Sequence, residues 1–215
     1  MWKPPRISGT KRDEISPFGT RLQRYNSAVF PSNQSPGILA IGRGFCCNFA
    51  NMPIRHARRD DLPGIVAIYN ASIPGRMATA DLAPVTVADR EGWFAEFEPG
   101  RRPLFVACDE DSDEPRAWLS LRSFYGRPAY SEAVEVGVYT QPAAQRRGLG
   151  RALLAHALAQ AHTLGISRLL AFTFAHNAPS LALFGAFGFA EWGHLLGVAV
   201  LDGIRRDLLI LGRAL

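Results

Sequence analysis

Apolar and polar positions follow two regimes along this chain. Residues 1–51 sustain no regular period and are rich in Pro, Ser, Gly, Asn and Arg, so they read as a basic extension without a packed core. From Ile54 the pattern becomes regular. Ile54–Ala57 reads as a short strand, and Asp60-Asp61-Leu62-Pro63 as a helix start with a capping Asp and Pro in the first turn. That helix runs to about Asn70 with Leu62, Ile65, Val66 and Tyr69 on one face. Thr86-Val87-Ala88-Asp89 opens a second helix through about Glu98, striped by Trp93, Phe94 and Phe97. Three strands follow, at Leu104–Cys108, Ala117–Phe124 and Val134–Thr140, then a third helix at Leu149–Thr163 capped by Gly165. Arg168–Phe174 reads as a strand, Pro179–Phe187 as a short helix closed by Gly188, and Phe189–Val200 with Ile204–Leu211 as a hairpin turned by Asp202-Gly203. Hairpin strands mixed with crossover helices imply an α/β fold with a mixed sheet.

Charge sharpens this division. The 215 residues carry a net charge of +5, and the seven basic and two acidic side chains of residues 1–51 account for all of it. Residues 52–215 balance 17 arginines against 17 acidic residues, so the folded part lacks a broad electrostatic footprint for nucleic acid. The expected organisation is a basic N-terminal extension at 1–51 and one domain at 52–215, with Met52 an alternative start. Cys46, Cys47 and Cys108 have neither metal-ligand nor redox spacing; no metal is expected, and Cys108 reads as a small core residue. No apolar run is long enough to span a membrane, and the cytoplasm is the default compartment.

The richest local chemistry lies at Gln145-Arg146-Arg147-Gly148-Leu149-Gly150, between a strand and a helix. The first N–H groups of a helix have no partner within it, and the helix dipole favours an anion there. Glycines let the backbone approach a ligand closely, and arginines add charge and forked donors. The turn therefore reads as a site for a phosphate-bearing ligand. It is not a P-loop, because the Gly-Lys-Ser/Thr run is missing, and a dinucleotide fingerprint would need glycine where Leu153 stands. The alternative is an ordinary basic strand-to-helix turn.

The pattern Gln-x-x-Gly-x-Gly after a strand resembles the acetyl-CoA pyrophosphate loop of the GNAT superfamily of N-acetyltransferases. Asn177–Phe184, ending in Gly188-Phe189, is similar to the fourth helix of that superfamily, and Glu135-Val136-Gly137-Val138-Tyr139 to its fourth strand. Ile68-Tyr69-Asn70 and Ser123–Tyr130 resemble a narrower group, the phosphinothricin and methionine sulfoximine or sulfone acetyltransferases. The resemblance implies a mixed, mostly antiparallel central sheet flanked by about four helices. It implies acetyl-CoA as co-substrate, with Arg146, Arg147, Gly148, Leu149, Gly150 and Arg151 on the pyrophosphate. Val138, Tyr139, Thr140 and Asn177 would lie along the pantetheine arm. The implied reaction is acetylation of the amino group of a small amino acid analogue, and a homodimer is the form expected by analogy.

Glu135 sits out of phase with Val134 and Val136. From the strand pattern alone it is either a solvated side chain or a base lining the acceptor site; the family register implies the base. Gly137 is expected to mark a bulge that frees an N–H near Val138 for the developing oxyanion. Arg127, Arg122 and Arg76 are the candidates for the acceptor's oxygens, since guanidinium pairs with oxyanions in a planar fork, and Tyr125 adds a hydroxyl. Phe184 stands where many superfamily members place a proton-donating tyrosine, so that water, the ammonium product or another side chain, with Tyr139 and His194 as candidates, would serve instead. The competing readings keep the fold but change the acceptor to a polyamine, an aminoglycoside or a protein N-terminus, or make the chain a non-catalytic acyl-CoA-binding regulator.

Overall fold

A computed structural model describes residues 52–215; the expectation for residues 1–51 lies outside the described residues. Seven strands form one sheet: β1 (Ile54–His56), β2 (Leu104–Cys108), β3 (Pro115–Ser123), β4 (Ala133–Thr140), β5 (Arg168–Phe174), β6 (Ala190–Leu201) and β7 (Ile204–Ala214). Four helices accompany them: α1 (Leu62–Ser72), α2 (Val87–Ala95), α3 (Leu149–Gln160) and α4 (Ala178–Ala186). The strand order is β1-β2-β3-β4-β5-β7-β6. Every neighbouring pair is antiparallel except β4 and β5, which α3 joins by the crossover that a parallel pair requires.

Helices pack on both faces of the sheet over its first five strands. On one face Leu153 and Leu154 of α3 pack on Phe105, Leu119, Val134 and Leu169 of the sheet; on the other Ile65 and Ile68 of α1 pack with Val106 and Trp118. This explains the unbroken apolar run of β2, where alternate side chains enter opposite cores and all five residues are buried. Each fully buried leucine contributes about 1.5–3 kcal/mol relative to exposure. The Asp202-Gly203 turn has φ of 50° and 79°, the two left-handed residues of a type I′ hairpin. Thr86 and Asp89 form the reciprocal capping box that opens α2.

Three local expectations change. Asp61 precedes α1 but caps no N–H of that helix; its carboxylate takes the Arg58 N–H at 2.6 Å and both ends of the Arg55 guanidinium at 2.7 and 2.9 Å. A carboxylate held by arginine has no reason to turn back to the helix. Gly137 forms no bulge, because the β3–β4 register runs unbroken through Ser120 and Gly137. Glycine is favoured there for another reason: a Cβ would stand 3.1 Å from Ser120 Oγ. The regular helix α3 also stops at Gln160 rather than Thr163, and turns lead on to Gly165 at φ 66°.

Candidate active site

The site begins where two strands part. β4 pairs with β5 only from Ala133 to Glu135, while β5 stays bonded to β7 along its whole length. Ala133 O accepts from Phe124 N and Gln141 N donates to Arg116 O, so the odd-numbered residues of β4 turn their backbone groups toward β3. By the alternation of an antiparallel ladder, Val138 and Thr140 turn theirs the other way, into the gap. That gap is a cavity of about 400 Å³ lined by Val136 to Tyr139, Phe172 to Phe174, Asn177 and Phe184. Side chains of β4 divide accordingly. Val134 and Val136 are buried under α3, while Glu135, Gly137 and Tyr139 share the opposite face with Arg122, Ser120 and Trp118 across the ladder.

At one end of the gap lies the turn into α3. Arg146 and Gly148 have φ of 60° and 80°. Such reversals of backbone handedness turn successive N–H groups into a concavity that suits an anion. Gly148 is the N-cap and brings no side-chain cap, so the first-turn N–H groups of Leu149, Gly150 and Arg151 await an outside acceptor. Leu149 is buried and anchors the turn, Gly150 packs its backbone against Val138 and Leu183, and Arg151 stacks 5.3 Å from the Phe187 ring. Arg146 and Arg147 are exposed.

At the other end stands Glu135. Its carboxylate has no hydrogen bond or ion pair among the described residues, and it borders three spaces: the gap, an open pocket of about 710 Å³ with Arg122, Phe124, Tyr125 and Phe172, and a chamber of about 140 Å³. Arg122 lies directly across from it on β3, and its Nε bonds Glu96 at 3.1 Å rather than Glu135. Tyr125 is exposed at the rim of the open pocket with φ 52°. Arg127 lines a neighbouring groove with Arg101 and Tyr130 and borders none of the three spaces that Glu135 touches.

Two expected ligand contacts turn out to be engaged within the protein. The Arg76 guanidinium grips Asp202 at 2.9 and 3.1 Å and the carbonyls of Ile73, Asp81 and Leu82, so its donors are committed to holding the loop after α1 against the β6–β7 turn. It is not available to an acceptor. The Asn177 amide caps α4 through Ser180 N and donates to Met77 O at 2.8 Å. With Tyr139 donating to Ala78 O and His176 bonded to Arg76 O, these contacts draw residues 76–78 across the front of the gap. Asn177 thus borders the gap mainly as a brace.

The proton donors are limited. Phe184 is buried edge-on to Phe189 and lines the gap. Burial pushes the Tyr139 phenol above its ordinary range, so the group stays protonated and gives up its proton less readily. His194 pairs with Asp207 at 2.9 Å and does not border the gap. Cys108 sits in the core, its thiol pushed up to about 11 by burial.

Arg90 is a further polar group at this end of the gap. It stands on α2 over the Tyr69 ring at 4.4 Å and 5.6 Å from the Trp93 ring, inside the small chamber with Glu135. A signal was present: an arginine three residues before Trp93 lies on the apolar stripe of its helix.

The acetyltransferase (GNAT) family matches residues 66–189. A Bacillus subtilis (strain 168) protein named "Putative phosphinothricin acetyltransferase YwnH" is 51% identical over 76% of this chain and 99% of its own length. The L-methionine sulfoximine/L-methionine sulfone acetyltransferase of Pseudomonas aeruginosa is 31% identical over 72% of this chain and 90% of that protein. Among solved structures, a phosphinothricin acetyltransferase of the GNAT superfamily from Sinorhizobium meliloti, in complex with AcCoA, superposes with a TM-score of 0.71 at 28% identity. That match covers 76% of this chain and 88% of the other.

Proposed function

The chain belongs to the GNAT family of acetyltransferases, and from that footing we propose that it transfers the acetyl group of acetyl-CoA to the amino group of a small amino acid analogue of the phosphinothricin, methionine sulfoximine or methionine sulfone type. The observation that carries this reading is the position of Glu135, a carboxylate without an ion pair among the described residues, at the junction of the β4–β5 gap and two further spaces. Acetyl-CoA supplies an activated thioester carbonyl; the chain's residues do the rest.

The N–H groups of Gly148 to Arg151, with Arg146 and Arg147, suit the pyrophosphate. Backbone groups of Val138 and Thr140, which face the gap, suit the pantetheine, and the Val138 N–H would donate to the carbonyl oxygen as it gains charge, a contact worth roughly 3 kcal/mol. An α-ammonium, with an ordinary pKa of about 8, must shed a proton before it can attack. Glu135 accepts it, directly or through one water. On becoming an amide the nitrogen loses two protons, of which one leaves through Glu135 and the other remains for the departing sulfur. Phe184 has none to give, and Tyr139 is made a weaker acid by burial. Arg122 and Tyr125 line the open pocket where the acceptor's carboxylate would lie, with Arg127 beyond it.

Thiol release measured with methionine sulfone, phosphinothricin and spermidine tests this reading. Turnover is expected with the first two. Turnover with spermidine alone would make the enzyme a polyamine acetyltransferase, and tight acetyl-CoA binding without turnover of any amine would make it a regulator. We also propose that the chain pairs with itself through β6, one of the two outer strands of the sheet among the described residues, where Trp192, Leu196, Val198 and Val200 are exposed. Sedimentation velocity would overturn this with a monomer-sized species at micromolar concentration.

A further inference from the structure

The smaller chamber beside Glu135 differs from the open pocket in its chemistry. Its walls are the rings of Tyr69, Trp93, Trp118 and Tyr139, one edge is the Arg90 guanidinium, and Arg122 and Glu135 stand where it borders the open pocket. Trp118 stacks on Tyr139 at 4.4 Å and meets Trp93 edge-on at 5.6 Å, so the walls brace one another and hold the shape. At about 140 Å³ it has room for a short side-chain end.

Arg90 is the unusual member. Its guanidinium carbon lies over the Tyr69 ring, and its one hydrogen bond among the described residues runs from Nη2 to Asp81 at 3.2 Å. That carboxylate already takes the Tyr69 hydroxyl at 2.5 Å. The remaining edge donors of Arg90 have no partner among the described residues. Arg76, by contrast, is bonded through all three of its nitrogens. A stacked, half-buried guanidinium with spare donors in an aromatic chamber is suited to the oxygens of a small group that is otherwise apolar.

We propose that Arg90 and the aromatic chamber form the subsite for the far end of the acceptor's side chain, a tetrahedral sulfonyl, sulfoximine or phosphinyl group. The rings enclose its methyl and methylene carbons and Arg90 donates to its oxygens. This rests on the amino-acid reading above. It follows that Glu135, at the chamber's mouth, faces the α-amino group, and that the α-carboxylate stays on the wetter side with Arg122 and Tyr125. Arg90 thereby sets acceptor specificity and takes no part in the chemistry.

The test compares two acceptors that differ only in the sulfur's oxygens, methionine sulfone and methionine, with wild type and Arg90→Met. Wild type is expected to prefer the sulfone by tenfold or more in kcat/KM. Arg90→Met should lose about 20-fold on the sulfone, the size of one charge-assisted hydrogen bond, and about twofold or less on methionine. Arg90→Lys, which keeps the charge but not the fork, should fall between. Equal losses on both acceptors would overturn the proposal, since Arg90 would then hold the shared carboxylate or only the scaffold; so would no loss on either. Tryptophan emission provides a reading without turnover, because Trp93 and Trp118 wall the chamber. Methionine sulfone should shift it in wild type at concentrations where methionine does not. A shift without thiol release would retain the subsite and reject the acetylation reading, and release without acceptor discrimination would do the reverse.

Discussion

The two ends of the β4–β5 gap hold polar groups by opposite means. At the α3 end the donors are backbone N–H groups of consecutive residues, Gly148 to Arg151, shaped by left-handed φ at Arg146 and Gly148 and open to solvent. At the Glu135 end the polar groups are side chains drawn from α2, β3 and β4, set among rings from α1, α2, β3 and β4 and partly sealed from water. One end depends on backbone shape and tolerates changes of side chain. The other depends on a few side-chain atoms and does not. For a transferase this division is useful: a constant nucleotide portion needs a general anion site, whereas selectivity for the acceptor needs particular atoms in particular places.

The largest effect belongs to the side-chain end. Glu135→Gln keeps size and shape and removes the base. Turnover should fall about 10²–10⁴-fold while acetyl-CoA affinity, measured by titration calorimetry, stays where it was. Unchanged turnover would remove Glu135 from the mechanism, and lost cofactor affinity would mean that the two ends are not separable. The next effect belongs to the backbone end. A Cβ at Gly148 meets no atom within 4 Å, so a substitution there acts through conformation alone. At φ 80° a β-branched residue is strained by about 1–2 kcal/mol, and Gly148→Val should raise the KM for acetyl-CoA roughly 5- to 30-fold with little change for the acceptor. Gly148→Asn, which visits the left-handed region more readily, should recover most of the loss. If valine were as good as glycine, the concavity would not be what holds the anion.

The same division decided what could be read from the chain. The α3 turn was legible because its signals lie within six residues: a strand before, glycines at the bend, a helix after. β2 and β5 were legible to the residue because each is a short apolar run bounded by turn residues. The acceptor end is assembled from distant parts of the chain. Arg76 looked like an acceptor ligand because its partner Asp202 lies 126 residues away. Asn177 looked like a cofactor contact because Met77, whose carbonyl it binds, is 100 residues away. Gly137 was read as a bulge from its own strand, when the reason for glycine is Ser120 on the strand beside it. Arg90 acquires its meaning only when α1 and β3 bring Tyr69 and Trp118 to the same chamber. Spacing along the chain reports contacts within a turn or a hairpin, and these contacts are neither.

The smallest effect separates charge from shape at the α3 end. Arg147 is exposed, and an exposed charge near an anion contributes about 0.3–1 kcal/mol at low salt. Arg147→Gln should therefore raise the KM for acetyl-CoA only about two- to fivefold, well below the effect of Gly148→Val. The more telling readout is ionic strength. Salt at about 0.15 M screens solvent-exposed charges over roughly 8 Å, so the wild-type KM for acetyl-CoA should climb with added salt and the Arg147→Gln value should climb less. The acceptor's KM should respond more weakly, because the ring-walled chamber shields Arg90 from mobile ions. If salt weakened acceptor and cofactor alike, the chamber would be wet, and the contrast between an open backbone site and a sealed side-chain site would fail at its acceptor end.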